Sequence, residues 1–209
     1  MNKKLVVCTS LSLLLLAARM GYSSSLSYVF LAWNLLLAFI PYLISTTIHS
    51  GKLKGIIVFP AGIIWLLFLP NALYIITDFK HLRERPFIPV WYDCLLLFSF
   101  SALALLFGLL SFYHVNQVLK RYLSKPFQHI LLVFISIITG FGVYLGRVER
   151  WNSWDFFTHT PDLVSESLIL MTKPYVWLFS LTYGLAFLFM YYIILSLINF
   201  RHETPRQLV

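Results

Sequence analysis

The stretch VWYDCLLLFSFSALALLFGLLSFYHV, residues 90–115, decides the fold. Its one charged residue is Asp93, near the start, and the rest is almost entirely apolar. A helix needs about 20 apolar residues to cross the hydrocarbon core of a bilayer, and this run is long enough. Its apolar positions are continuous rather than alternating, which excludes a barrel strand. Working outward, the same reading gives five more spans, at residues 5–18, 26–48, 55–76, 127–146 and 174–198. Asp93 is the only Asp, Glu, Lys or Arg inside any of the six. The expected architecture is an all-α polytopic bundle of about six spans, one transmembrane domain over residues 1–209.

Composition agrees. Hydrophobic residues make up 59% of the 209 and charged residues 11%, with a mean hydropathy of +0.80. A soluble domain carries roughly 25% charge. A soluble nucleotide-binding enzyme, a disordered chain and a secreted disulfide scaffold are excluded. The net charge of +8 is spread between apolar runs, not gathered on one strip, so no nucleic-acid partner is expected. Cys8 and Cys94 sit in apolar stretches, and neither a disulfide nor a metal cluster is expected from them. The bilayer itself is the expected partner.

The first span is short and follows Lys3-Lys4, like the apolar core of a signal peptide. No small-x-small cleavage site follows it at Ala17-Ala18-Arg19-Met20-Gly21, and we read it as a retained span. Six spans put both termini on one side. That side carries nine Lys and Arg in 32 loop positions, the other seven in 47. The denser side is expected to be cytoplasmic. The acids run the other way, with Asp78, Glu84, Asp93, Glu149, Asp155, Asp162 and Glu166 at or near the outer side and only Glu203 opposite.

This asymmetry points to a candidate site. The third span ends in Pro70-Asn71 and is followed by Asp78 and His81. The fourth begins Trp91-Tyr92-Asp93, and the fifth runs out through Arg147, Arg150 and Asn152 to Asp155. Adjacent spans are antiparallel, so these residues share a depth at the outer interface. Asn71, Asp78, His81, Asp93, Arg147, Arg150, Asn152 and Asp155 are the candidate ligand-binding residues.

The same motifs carry a resemblance. Trp33-Asn34, Leu69-Pro70-Asn71, Thr77-Asp78 with His81, Trp91-Tyr92-Asp93, and Leu145-Gly146-Arg147 with Arg150-Trp151-Asn152-Ser153-Trp154-Asp155 resemble the membrane family catalogued as domain of unknown function 1361, over about residues 30 to 195. The resemblance implies a multi-pass protein of a bacterial cell membrane. It implies no activity, cofactor or mechanism.

Each element has a bland and a sharp reading. Asp93 is either an interfacial carboxylate, hydrated or paired for packing, or a proton or cation ligand, or an orienter of Arg147. By the depth argument Asp93 and Arg147 are expected to pair. Pro70 frees the carbonyl of residue 66. Asn71 can satisfy a freed group, and the break either packs or lines a polar pocket, as broken helices do in transporters. Pro41, with Asn34 upstream, suggests a second break. Arg147, Arg150, Trp151 and Trp154 fall on one stripe if the fifth helix continues past the membrane. That stripe is either a snorkelling aromatic belt or an anion clamp, with Lys80, Arg83 and Arg85 nearby. His81 shares a face with Asp78 if that segment is helical, but the histidine spacing forms no metal site. Gly142-xxx-Gly146 allows close packing against a neighbouring span. Thr160-Pro161-Asp162 opens a short helix, expected to lie on the outer surface.

Three functions stay open: binding or transport of a small amphiphile, lipid headgroup or ion; an enzyme acting on a lipid-linked substrate with paired carboxylates and His81 as acid and base; and a structural or accessory subunit.

Overall fold

A computed structural model describes residues 3–84 and 88–203. Six helical spans are long and apolar enough to cross a membrane, and no β-sheet occurs among the described residues. The protein is a multi-pass membrane protein. Helix α1 covers Lys3–Ser23 and α2 Phe30–His49. The third span is segmented: a 3₁₀ turn at Gly55–Ile57, α3 at Val58–Phe68, α4 at Asn71–Tyr74 and a 3₁₀ stretch at Ile75–His81. Then follow α5 (Val90–Leu119), α6 (Lys125–Tyr144), a π turn at Leu145–Glu149, the short α7 (Asp155–Thr158), α8 (Thr160–Leu170) and α9 (Pro174–Glu203). One face of the bundle carries Lys3 and the turns at 50–54 and 120–124. The far face carries the connections at 24–29 and 150–173.

Helix α5 is central and the most buried span. It packs along α2, while α6 packs along α9. The α6 pattern explains its pairing. Leu132, Ile135, Ser136, Thr139, Gly140 and Val143 are buried at helical spacing. On that stripe a Cβ added at Gly140 would lie 2.1 Å from the Ser180 carbonyl oxygen, and one at Gly184 2.6 Å from that of Ser136. Two glycines thus let the α6 and α9 backbones meet, the close approach that small residues permit between spans in lipid. The expected contact of Gly142 and Gly146 with a neighbouring span is also present. A Cβ at Gly142 would meet the Pro70 ring at 2.4 Å, and one at Gly146 would meet the Tyr74 ring at 3.3 Å. Both hold α6 against the break in the third span.

Several span bounds differ from the sequence reading by a few residues, and two expectations are corrected. Helix α1 extends to Ser23, beyond the expected end at residue 18, and so includes Arg19, although a lone charge in a span is costly. Here the charge is not alone, since it is paired with Asp93. Pro41 does not break α2, which runs unbroken through it. The Ser111 hydroxyl donates to the Pro41 carbonyl at 3.0 Å and accepts from the Trp65 indole N–H at 2.5 Å. α5 and the third span therefore brace the site of the proline.

Candidate functional site

Pro70 breaks the third span as its chemistry requires. It has no N–H to donate, and the hydrogen bonds around it shorten to Ala72 N–H onto Leu69 and Leu73 N–H onto Pro70. That shift leaves the Phe68 carbonyl without its usual helical donor. The Asn71 amide supplies one at 3.0 Å, and its nitrogen also donates to the Ser153 hydroxyl at 3.0 Å. One side chain therefore heals the broken helix and ties it to the far-face loop. Asn71 satisfies a freed group as expected, but the carbonyl is that of Phe68 and not that of residue 66.

Beyond the break, Asp78 is buried to 1% exposure. It accepts from the Asn34 amide of α2 at 2.8 Å through one oxygen, and its other oxygen lies 3.2 Å from Arg147. Arg147 also donates to the Thr77 carbonyl and, at 3.4 Å, to the Tyr74 hydroxyl. Its guanidinium lies 4.9 Å from the Tyr74 ring centroid. A buried carboxylate is tolerated only with a partner and hydrogen bonds, and Asp78 has both.

The expected pairing of Asp93 with Arg147 is overturned. Asp93 forms a two-pronged pair with Arg19 of α1, Nε to Oδ1 at 2.6 Å and Nη2 to Oδ2 at 3.1 Å, and both side chains are about 1% exposed. The Arg19 guanidinium is covered by the Tyr28 ring at 4.1 Å. The depth argument put these groups at the correct level, but depth does not fix position around the bundle. α1 lies beside α5, whereas the π turn lies beside the third span.

The stripe of Arg147, Arg150, Trp151 and Trp154 does not form either. α6 gives way to the π turn, and Arg150 ends it with φ of 66°, a left-handed backbone, as Trp151 N–H closes onto the Leu145 carbonyl at 3.0 Å. The loop then folds back over the bundle. Trp151 donates to Glu166 of α8 at 2.8 Å. Asn152 donates to Asp155 through its backbone and side-chain nitrogens, at 2.7 and 3.1 Å. Arg150 is exposed, and Arg85 lies outside the described residues. His81 packs its ring against Phe30 at 5.2 Å and bonds neither Asp78 nor Asp93. Among the described residues no group of three His, Cys, Asp or Glu is placed to hold a metal ion.

A partly open cavity of about 400 Å³ lies between α2, the third span, α6 and the far-face loop. The volume falls within the roughly 300–1,000 Å³ of small-molecule sites. Its inner part is apolar, with Ile63, Leu66, Leu67, Ile138 and Phe141. Its loop end carries Asn34, Asn71, Asn152, Ser153 and Tyr74, with Trp33, Trp151 and Trp154 around them. Trp33 and Trp154 stand edge to face at 6.3 Å across the wall. Of the eight candidate residues only Asn71 and Asn152 line this space. Asp78 and Arg147 stand behind it, each holding a lining residue. His81, Asp93, Arg150 and Asp155 are not on the wall. The sequence reading missed Asn34, Tyr74, Ser153 and Glu166 as parts of this constellation; the signal available for Asn34 and Ser153 was their place in the quoted motifs. Helix α8 forms where its Pro161 start predicted. It turns Leu163 to the cavity and leaves Val164, Leu168 and Met171 exposed as an apolar stripe.

A family model described as "Protein of unknown function (DUF1361)" matches residues 33–190, and the chain belongs to that family. No curated protein and no solved structure matches it.

Proposed function

We propose that this member of the DUF1361 family binds a small amphiphile at the extracytoplasmic interface of a bacterial cell membrane. The chain of the amphiphile occupies the inner, apolar part of the cavity and its polar head the amide- and indole-lined end. The observation that carries this reading is the cavity itself, apolar at one end and polar at the other. Asn71 and Asn152 contact the head. Asp78 and Arg147 are positioning residues that act through Asn34 and Tyr74. Residues 1–209 serve as one transmembrane domain with both termini cytoplasmic, a reading that rests on the density of Lys and Arg in the connecting segments.

The test is native mass spectrometry of the protein purified in mild detergent. A retained lipid is expected in the wild type and is expected to be lost in Ile138→Trp, which fills the apolar end. Absence of any retained lipid, or retention unchanged in Ile138→Trp and Leu67→Trp, overturns the reading. A second reading, as a structural or accessory subunit, is favoured by one observation. The carboxylates Asp78 and Asp93 are each closed in an ion pair away from the cavity, and no acid or base is among the described residues of its wall. A stoichiometric protein partner with no bound lipid would support that reading.

A further inference from the structure

The cavity wall has a property that narrows its occupant. Among the described residues that line it, not one is Asp, Glu, Lys, Arg or His. Arg147, the cation that the sequence offered for a phosphate, has its guanidinium committed to Asp78, the Thr77 carbonyl and Tyr74. A phosphate or carboxylate brought to this depth would meet no counter-charge among the described lining residues, and an unpaired charge in a low-dielectric site is costly.

The hydrogen-bonding groups at the loop end are mixed in kind. The Asn71 amide nitrogen already serves Phe68 and Ser153, so what Asn71 offers the cavity is its carbonyl oxygen, an acceptor. Asn34 spends one amide hydrogen on Asp78 and keeps its other hydrogen and its oxygen. The indole N–H groups of Trp33 and Trp154, donors only, make no hydrogen bond to another described residue. A phosphate accepts only, and an acceptor at Asn71 repels it. A hydroxyl both donates and accepts, and a mixed set of donors and acceptors suits several of them. The electron-rich faces of aromatic rings also favour the weakly positive C–H bonds of a sugar ring.

We propose that the head taken by this cavity is uncharged and rich in hydroxyl groups, a sugar or polyol carried on a lipid chain. This rests on the amphiphile reading above and goes beyond it by naming the head. The test uses the full chain in nanodiscs and competition against a fluorescent alkyl glucoside. The competitors are monoglucosyl diacylglycerol, diacylglycerol, phosphatidylglycerol and phosphatidylcholine with the same acyl chains, and methyl glucoside with none.

The glucolipid is expected to compete at least about tenfold better than every other member, a difference of about 1.4 kcal/mol. Trp33→Leu, at a half-exposed position, is expected to erase that preference. Ser153→Arg, which supplies the missing cation, is expected to shift it towards phosphatidylglycerol. Equal or better competition by phosphatidylglycerol or phosphatidylcholine in the wild type overturns the uncharged head. Equal competition by diacylglycerol overturns the hydroxyl-rich head, and equal competition by methyl glucoside overturns the lipid chain. The phosphatidylglycerol, phosphatidylcholine and diacylglycerol outcomes overturn only this inference, while equal competition by methyl glucoside overturns the amphiphile reading as well. No binding of the glucoside probe also overturns this inference, and the retained lipid seen by native mass spectrometry then decides the amphiphile reading separately.

Discussion

Arg19 and Asp93 lie 74 residues apart in sequence and meet in a buried, two-pronged ion pair that joins α1 to α5. Removing one partner of such a pair strands the other charge away from water, at a cost of about 3–5 kcal/mol. Replacing both with apolar groups removes the stranded charge. Arg19→Met and Asp93→Leu are each expected to lower the thermal stability of the protein in detergent. The double variant is expected to be more stable than either single one. Strictly additive losses in a double-mutant cycle would refute the coupling.

The second pair makes a contrasting prediction. Arg147 faces Asp78 and not Asp93. Arg147→Gln with Asp78→Asn is expected to give a coupling energy of at least about 1 kcal/mol, within the range for contacting charges. Arg147→Gln with Asp93→Asn, which touch different partners, is expected to be additive within about 0.5 kcal/mol. Thermal melts of the three single and two double variants would check both. Arg147→Lys is expected to rescue little, because an ammonium cannot reproduce the guanidinium fork that reaches Asp78, Thr77 and Tyr74 together.

The glycines differ in what surrounds them, and stability should follow. A side chain at Gly140 runs into the Ser180 backbone, while one at Gly62 meets nothing within 4 Å. Gly140→Leu is expected to separate α6 from α9 and destabilise by at least the roughly 1–3 kcal/mol of an overpacked contact. Gly62→Leu is expected to leave the melting temperature unchanged or slightly raised. Equal effects at the two positions would contradict the α6–α9 contact.

Much of this was legible in the sequence, for identifiable reasons. Span positions follow from hydropathy, because the bilayer tolerates no uncompensated charge over about 20 residues. The break at Pro70 and its repair by Asn71 are local chemistry, three residues wide, and so could be read directly. The ion-pair partners were not legible. Arg19 and Asp93 each sit one or two turns inside a span at the same face, but nothing in one sequence says that α1 lies beside α5. The charge of Arg19 itself hid the end of α1. The turn after Tyr144 was hidden for another reason. The residues that follow keep a helical spacing, and only the left-handed Arg150, a conformation usually left to glycine, reverses the chain. That reversal carries Asn152 and Ser153 to the cavity and turns Arg147 away from solvent.

Orientation can be tested without reference to the site. Cys8 and Cys94 are exposed free thiols and are first replaced by serine. A cysteine at exposed Tyr122, on the face that carries Lys3, and one at exposed Phe157, on the far face, then report the two sides. In intact cells a membrane-impermeant maleimide is expected to label Phe157→Cys and to spare Tyr122→Cys until the cells are permeabilised. The reverse pattern would place the cavity at the cytoplasmic interface.

The last prediction concerns how Asp78 serves a cavity it does not line. It receives the Asn34 amide at 2.8 Å and is itself held by Arg147 at 3.2 Å, so its effect on a ligand must pass through the orientation of Asn34. Asp78→Asn keeps the size of the side chain, removes the charge-assisted acceptor and leaves Arg147 without a counter-ion. Such hydrogen bonds are worth roughly twice their neutral counterparts. Asp78→Asn and Asn34→Ala are therefore each expected to weaken binding of the fluorescent glucoside by about three- to tenfold, which corresponds to about 0.6–1.4 kcal/mol. The double variant is expected to be no weaker than the more impaired single one, because both changes remove the same oriented amide. A direct contact between Asp78 and the ligand would instead give losses that multiply. A purely structural role would lower the melting temperature and leave the affinity of the folded fraction intact. Measuring affinity and melting temperature on the same four proteins separates the three outcomes.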